Sequence, residues 1–375
     1  MTNRLTGQCA CLAPSEILHV VGDGAAGGGT TVVLQLARGL AARCARVTIA
    51  GQAGSYLIAQ AASAGHSVLE LNFSARRTTS SVTRALADYL VRTPGAVVHA
   101  HGARAGLAAA MLPAALRTAL IYTVHGFHYV NKLPLVRQLA MIAERVCMQR
   151  ASATIFVSSN DASTARKARL LPKRAASEVI YNGAEPVEQE TERPLFDVVF
   201  LGRLHFQKNP AILPQIVAAL APLRPSLGVI GSGELEGTVR AQVERAGLSG
   251  QVSFLGEQSH SEALRYLARA KLMLLPSRWE GLPVSVIEAM HRGVPVVASN
   301  VRGTNELVID EETGFLVPAD DVRAFADRVG RLLLDDRLRV GMGARAIARA
   351  RSEFSLARQI EAYAAVYERA VLART

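Results

Sequence analysis

Short runs of β-branched and apolar residues alternate with longer stretches of helical period along almost the whole chain. That alternation is the pattern of parallel sheets covered on both faces by helices. In the first half the candidate strands are EILHVVG, ARVTIA, HSVLELN, AVVHA, ALIYTV, ATIFVS and EVIYNG, and segments such as 31–42 and 133–150 between them read as helices. The rhythm stops at 184–195, AEPVEQETERPL, whose prolines and glutamates suit an interdomain linker. A second series then begins with DVVFLGR and continues through SLGVIG, QVSFLG, KLMLLPS and VPVVAS. The prediction is an α/β chain of two Rossmann-like doubly wound domains, 1–185 and 196–353, joined by a linker at 186–195. Residues 354–375 form a further helix, expected to return to the first domain. Ligands of such sheets sit beyond the carboxyl ends of the strands, so the loops there are where chemistry is sought.

Four loops stand out. GDGAAGGGTT at 22–31 brings backbone amides and a helix start together, a natural anion site, although its spacing fits neither the dinucleotide fingerprint nor the P-loop. LGRLHFQKN puts Arg203 and Lys208 on one connection, where a guanidinium and an ammonium could neutralise a diphosphate. SRWEGLPVSVIEAM carries Glu280 and Glu288. Pro283 suits the first turn of a helix from about 283 to 292, ended by Gly293, so Glu280 is expected on the loop and Glu288 inside the helix. VRGTNELV repeats the arrangement, with Gly303 and Thr304 before another short helix. Two helix starts and two cations make a phosphate site. Ionised carboxylates beside it would accept hydrogen bonds from sugar hydroxyls, and a nucleoside diphosphate sugar has all these parts. Each loop alone reads equally well as an ordinary turn or surface charge; their combination carries the assignment.

Composition narrows the picture further. A chain of 375 residues fits two domains, each large enough for its own core. The longest apolar run, at 106–124, is broken by Pro113 and Arg117, so no transmembrane helix is expected, and the first residues do not read as a signal peptide. Cys9, Cys11, Cys44 and Cys147 show no paired spacing and suggest reduced thiols, with Cys9 and Cys11 in a loose leader. A cytoplasmic protein is expected. Residues 1–185 carry 19 Lys and Arg against 8 Asp and Glu, and residues 186–375 carry 23 against 23, so the net charge of +11 belongs to the first half. Such an excess suits a polyanion, whether nucleic acid, an anionic bilayer or a pyrophosphate lipid, or simply a solvated surface. Aromatics are only 5% and no nucleic-acid module accompanies the charge, so no nucleic-acid partner is expected.

The stretches GRLHFQKN, GSGELEGTVRAQVERAGLSGQVSFLG, PSRWEGLPVSVIEAMHRGVPVVAS and VRGTNELVIDEETGFLVPADD resemble successive motifs of the retaining glycosyltransferases of family 4. In the first half GGGTTVVLQLARGL, VVHAHG, YTVHGFHY and VIYNG match the same family, and the resemblance runs from about residue 17 to 370. It implies the GT-B fold, in which the two domains face each other across a cleft. It also implies roles. Glu280 would bind donor-sugar hydroxyls, with the Gly281, Leu282, Pro283 and Val284 backbone near sugar and phosphate; Glu288 would hold the ribose hydroxyls. Arg203 and Lys208 would neutralise the diphosphate in place of a metal ion, in keeping with the lack of an Asp-x-Asp, so neither metal nor cofactor is expected. His125 would stand close to the reacting sugar, and Gly27, Gly28, Gly303 and Thr304 would line the donor. One departure is Thr30, at a position where the family often has an acidic or amide residue.

The segment from VHGFHYVNKL to VSSND resembles the subgroup that builds capsular and exopolysaccharide units on polyprenyl diphosphate, and RKARLLPKR at 166–174 adds a basic patch. The implied partners are a nucleotide diphosphate sugar (uridine more than guanosine), a polyprenyl-diphosphate-linked saccharide in exopolysaccharide, capsule or lipopolysaccharide synthesis, and the inner face of an anionic membrane. Alternatives are a nucleotide-sugar 2-epimerase of the same fold, a transferase with a soluble acceptor, a glycoside hydrolase with two flanking carboxyls, and a non-catalytic binding protein.

Overall fold

Strands buried on both faces must be apolar nearly throughout. Every residue of the central strands Glu16–Val21, Val97–His101 and Leu120–Val124 is buried, and their polar members, among them His19, His99 and His101, are the exceptions to that rule. The computed structural model describes residues 16–373 except Cys44, 75–77, Thr118, 128–132, Arg174 and 188–192; the leader cysteines, Cys44 and the middle of the expected linker therefore lie outside the described residues. Cys147 is a buried free thiol.

The chain divides into two compact units, one of residues 1–157, 161–180 and 359–375 and the other of 158–160 and 181–358. The first unit contains, in order, β1 (Glu16–Val21), α1 (Gly28–Ala41), β2 (Arg46–Gln52), α2 (Tyr56–Ser63), β3 (Ser67–Leu71), α3 (Thr78–Arg92), β4 (Val97–His101), α4 (Gly102–Ala110), β5 (Leu120–Val124), α5 (Pro134–Arg150), β6 (Ala153–Phe156), α6 (Ser159–Lys167) and β7 (Ser177–Val179). Its sheet is parallel throughout, in the order β3-β2-β1-β4-β5-β6-β7. Strand order reverses between β1 and β4, and the loops that leave their carboxyl ends open a crevice there.

The second unit follows with β8 (Phe196–Leu201), α7 (Leu213–Ala219), β9 (Leu227–Ile230), α8 (Glu236–Arg245), β10 (Val252–Gly256), α9 (His260–Ala268), β11 (Ala270–Leu275), α10 (Val284–His291), β12 (Val296–Ser299), α11 (Thr304–Leu307), β13 (Gly314–Val317), α12 (Val322–Leu334) and α13 (Asp336–Glu353). Its parallel sheet has the order β10-β9-β8-β11-β12-β13, with the reversal between β8 and β11. The sequence rhythm predicts five strands in this half and the structure has six. The additional strand, β13, is four residues long and set between a Thr-Gly turn and Pro318, so its pattern reads as a loop.

The last helix, α14 (Leu356–Leu372), belongs to the first unit from Gln359 onward. Gly39 of α1 is what lets it dock, since a Cβ there would lie 2.1 Å from the Ile360 side chain. Tyr363 and Tyr367 of α14 are completely buried.

One buried charge sets a pH dependence. Glu144 on the inner face of α5 accepts a 2.6 Å hydrogen bond from Tyr122 Oη, and burial pushes its carboxyl up to about 7. A carboxyl whose folded value is raised stabilises the fold fully below its unfolded value and loses that contribution as the pH rises through about 7. Glu144→Gln should therefore gain stability relative to the parent between pH 5 and 8, on the order of 2 kcal/mol. Urea unfolding at the two pH values checks this; a difference that does not change with pH would contradict it.

Candidate active site

In the second unit three loops leave the carboxyl ends of adjacent strands β8, β11 and β12 and carry most of the residues singled out in the sequence. After β8 the chain makes a 3-10 turn, Phe206–Lys208, capped by His205, whose Nδ1 accepts from Gln207 N. The turn ends at Asn209 in the left-handed conformation, with a buried side chain that donates to Asp320 at 2.8 Å. This aims Lys208 back over Gly202 and onto the β11 loop, where Nζ lies 2.6 Å from Glu280 Oε1. The two side chains are 17% and 6% exposed, so the pair is largely withdrawn from water. An ammonium has three donors and Glu280 takes one, which leaves the cation able to serve a second anion at the same place.

The β11 loop is held by its neighbours. Arg278 N donates to Gln207 O, Gln207 Nε2 donates to Trp279 O and Asn182 Nδ2 donates to Leu282 O, all within 2.8–2.9 Å. Arg278 also lies over the Phe206 ring at 4.1 Å. Pro283 is the residue before α10, and no acidic residue occupies that helix's first turn, so its positive end is uncompensated. Gly293, at φ 69°, closes the helix as its C′ residue. Gly303, at φ 82°, lets the β12 loop touch the β11 loop, because a Cβ there would lie 2.1 Å from Gly281 O. Thr304 is completely buried and its hydroxyl bonds Ser299 O and Val301 O, so the side chain closes its own turn.

Glu288 sits inside α10, buried, with Oε1 2.7 Å from His260 Nε2. The hydrogen bond that His260 donates to Glu288 holds its imidazole above its ordinary value. His260 opens α9, 28 residues earlier, and nothing in the sequence pattern points to it. Lys208, Glu280, Gly281 and Gly303 are thus brought into direct contact or close approach, and Glu288 lies farther along the helix that follows. The Arg203 side chain is exposed and makes no ion pair among the described residues.

The remaining candidates lie in the first unit. Gly27 is the residue before α1 and Gly28 its first, and Gly27 O accepts from the hydroxyls of Thr30 and Thr31. The departure at Thr30 is explained locally: its hydroxyl is used 2.7 Å away on its own turn. His125 follows β5, and its Nε2 lies 2.9 Å from Nδ1 of His101, whose Nε2 lies 2.9 Å from Nδ1 of His19. His99 is bonded at both nitrogens, to Tyr367 Oη at 2.6 Å and Thr123 Oγ1 at 2.7 Å. His19, His99 and His101 are buried, and burial before all else lowers each of them, His19 to about 3, so they are neutral imidazoles. They are near enough together to hold a metal ion, but His99 has spent both nitrogens on hydroxyls and the other two face each other at hydrogen-bond distance. The signal for this cluster is visible in VVHAHG, where two histidines two apart must share one face of a buried strand.

Known proteins resemble the chain over both units. The family described as Glycosyltransferase Family 4 matches residues 26–188, and that described as Glycosyl transferases group 1 matches 185–349. A lipopolysaccharide core biosynthesis mannosyltransferase, LpsB of Rhizobium meliloti, is 36% identical over 44% of this chain and 50% of its own length, so the alignment spans only half of that relative. The alpha-D-kanosaminyltransferase of Streptomyces kanamyceticus is 27% identical over 74% of this chain and 78% of its own. Among solved structures, Anabaena HepE in complex with UDP-glucose superposes with a TM-score of 0.82 at 20% identity, covering 94% of this chain and 98% of that one. No helix among the described residues is long and apolar enough to cross a membrane. With the two family models together matching residues 26–349, the chain belongs to the glycosyltransferases of the family 4 type, and the solved structure shows the GT-B fold.

Proposed function

We propose that the protein transfers a sugar, with retention of configuration, from a UDP-sugar to a hydroxyl of a lipid-linked saccharide in lipopolysaccharide, capsule or exopolysaccharide assembly. The observation that carries this is the largely buried Lys208–Glu280 pair beside the uncompensated start of α10. In this reading Lys208 and Arg203 neutralise the diphosphate and stabilise the charge that develops on the leaving group. Glu280 accepts from sugar hydroxyls, the amides of Gly281 to Val284 and of Gly303 and Thr304 line sugar and phosphate, and Glu288 accepts from the ribose while His260 steadies it. Glu280 is tied to an ammonium and Glu288 to an imidazole, so each carboxyl already faces a donor, an arrangement that suits acceptors better than a general acid. A donor phosphate oxygen then assists removal of the acceptor proton. By the family resemblance, His125 is assigned to the reacting sugar and Gly27 and Gly28 to the donor. The UDP-glucose complex of the structural relative and the lipopolysaccharide role of the mannosyltransferase relative support the donor and the pathway.

Association with the inner face of the membrane is supported by α5. Its solvent side is apolar, with Leu135, Leu139 and Ile142 at helical spacing and Leu133 and Val136 beside them, all exposed. Arg137, Arg145 and Arg150 are its exposed charges, and its single acid, Glu144, is buried. Arg166, Lys167, Arg169 and Lys173 add exposed cations in the same unit. An apolar stripe flanked only by cations matches an anionic bilayer surface.

Two measurements test these statements. Lys208→Ala and Glu280→Gln should each lower transfer by about 10²–10³-fold or more with the circular dichroism spectrum unchanged, and UDP should raise the melting temperature more than GDP; full activity in either variant would overturn the donor site. Sedimentation with phosphatidylglycerol vesicles at low salt should recover the parent protein, and Leu139→Glu should weaken binding by about tenfold, roughly the effect of losing one buried aliphatic anchor. Absence of parent binding would end the membrane assignment.

A further inference from the structure

Three imidazoles in the first unit form a continuous hydrogen-bonded line, His19 to His101 to His125, with 2.9 Å at each link. It is built by register. β1 pairs with β4 so that His19 stands opposite His99, and His99 and His101 point to the same face of β4. His101 is stacked on His125, with ring centroids 5.2 Å apart and planes at 26°. His99 lies 3.9 Å from His101 between ring centroids, and with its nitrogens fixed by Tyr367 and Thr123 it forms a rigid backing for the line.

With every ring of the line in its neutral form, three N–H groups meet the two links between the rings. The third proton must sit at one end, on Nε2 of His19 or on Nδ1 of His125. His19 Nε2 is buried with no hydrogen-bond partner. An orphan donor is rarer and more costly in a protein interior than an orphan lone pair. The line therefore runs outward: His19 Nδ1–H donates to His101 Nε2, and His101 Nδ1–H donates to His125 Nε2.

We propose that His101, anchored by His19, is a positioning residue that fixes the ring plane of His125 and holds it as the Nδ1–H tautomer. Any group that meets His125 at Nδ1 is then an acceptor, such as a sugar hydroxyl lone pair or a phosphate oxygen, and His125 works as a donor and not as the base. The functional part of this inference rests on the proposed place of His125 at the transfer site; the tautomer does not.

Histidine-selective ¹⁵N labelling with long-range proton–nitrogen correlation at pH 7 reads the tautomer directly in the full-length protein, and His125→Ala assigns the signal. The expected result is a single Nδ1–H tautomer for His125; an Nε2–H tautomer would overturn the inference without any further variant. His101→Phe removes both links and should release His125 to a mixture of tautomers, lower kcat at least tenfold and leave the KM for donor nearly unchanged. His101→Asn, whose amide can donate from the place of Nδ1, should keep the tautomer and restore most of kcat. An unchanged kcat in His101→Phe alongside a shifted tautomer would overturn the positioning role, and full transfer by His125→Ala would overturn the active-site reading of His125 independently of the spectrum.

Discussion

Parallel strands buried on both faces leave a doubly wound unit with few places for polar chemistry, and everything functional here follows from that constraint. Side chains along the strands must be apolar or paired, so charge collects where the strands end and the loops turn toward a helix. In the second unit the reversal of strand order between β8 and β11 separates their two outgoing connections. The Lys208–Glu280 pair forms across that gap. A pair so withdrawn from water gains little net stability, because desolvation offsets the attraction between the charges. Its placement is better explained by what it holds ready, an ammonium with unspent donors beside a helix start.

The first unit meets the same constraint differently. It places three histidines inside the sheet and pairs them with one another and with two hydroxyls, leaving only His19 Nε2 without a partner among their ring nitrogens. Neutrality is what makes this tolerable, since three imidazolium ions could not be buried side by side. The result is a polar core with its own hydrogen-bond direction that emerges at the end of β5.

Much of this was legible in the sequence because burial on both faces writes strands as continuous apolar runs, and twelve such runs cannot be hidden by helical segments between them. The separation of Glu280 from Glu288 was legible for another local reason: Pro283 and Gly293 mark the bounds of a helix. β13 escaped since four residues between a turn and a proline carry no periodicity. His260 escaped because its pairing with Glu288 depends on how α9 packs beside α10, which no spacing along the chain records. The histidine line escaped for the same cause, as only strand register sets His19 opposite His99. Arg203 and Lys208 share one connection as the sequence predicts, but only the Lys208 side chain is drawn onto the β11 loop, and sequence separation says little about direction once a turn intervenes.

The last helix has a consequence for how the protein is made. Tyr367 fastens His99 and Ile360 fills the space over Gly39, yet both belong to a segment that leaves the ribosome only after the whole second unit. Two tyrosines of this helix each remove roughly 150–250 Å² from water on docking. Until they arrive, the first sheet is finished in its strands but open over its central histidines, so the amino-terminal unit is translated first and completed last.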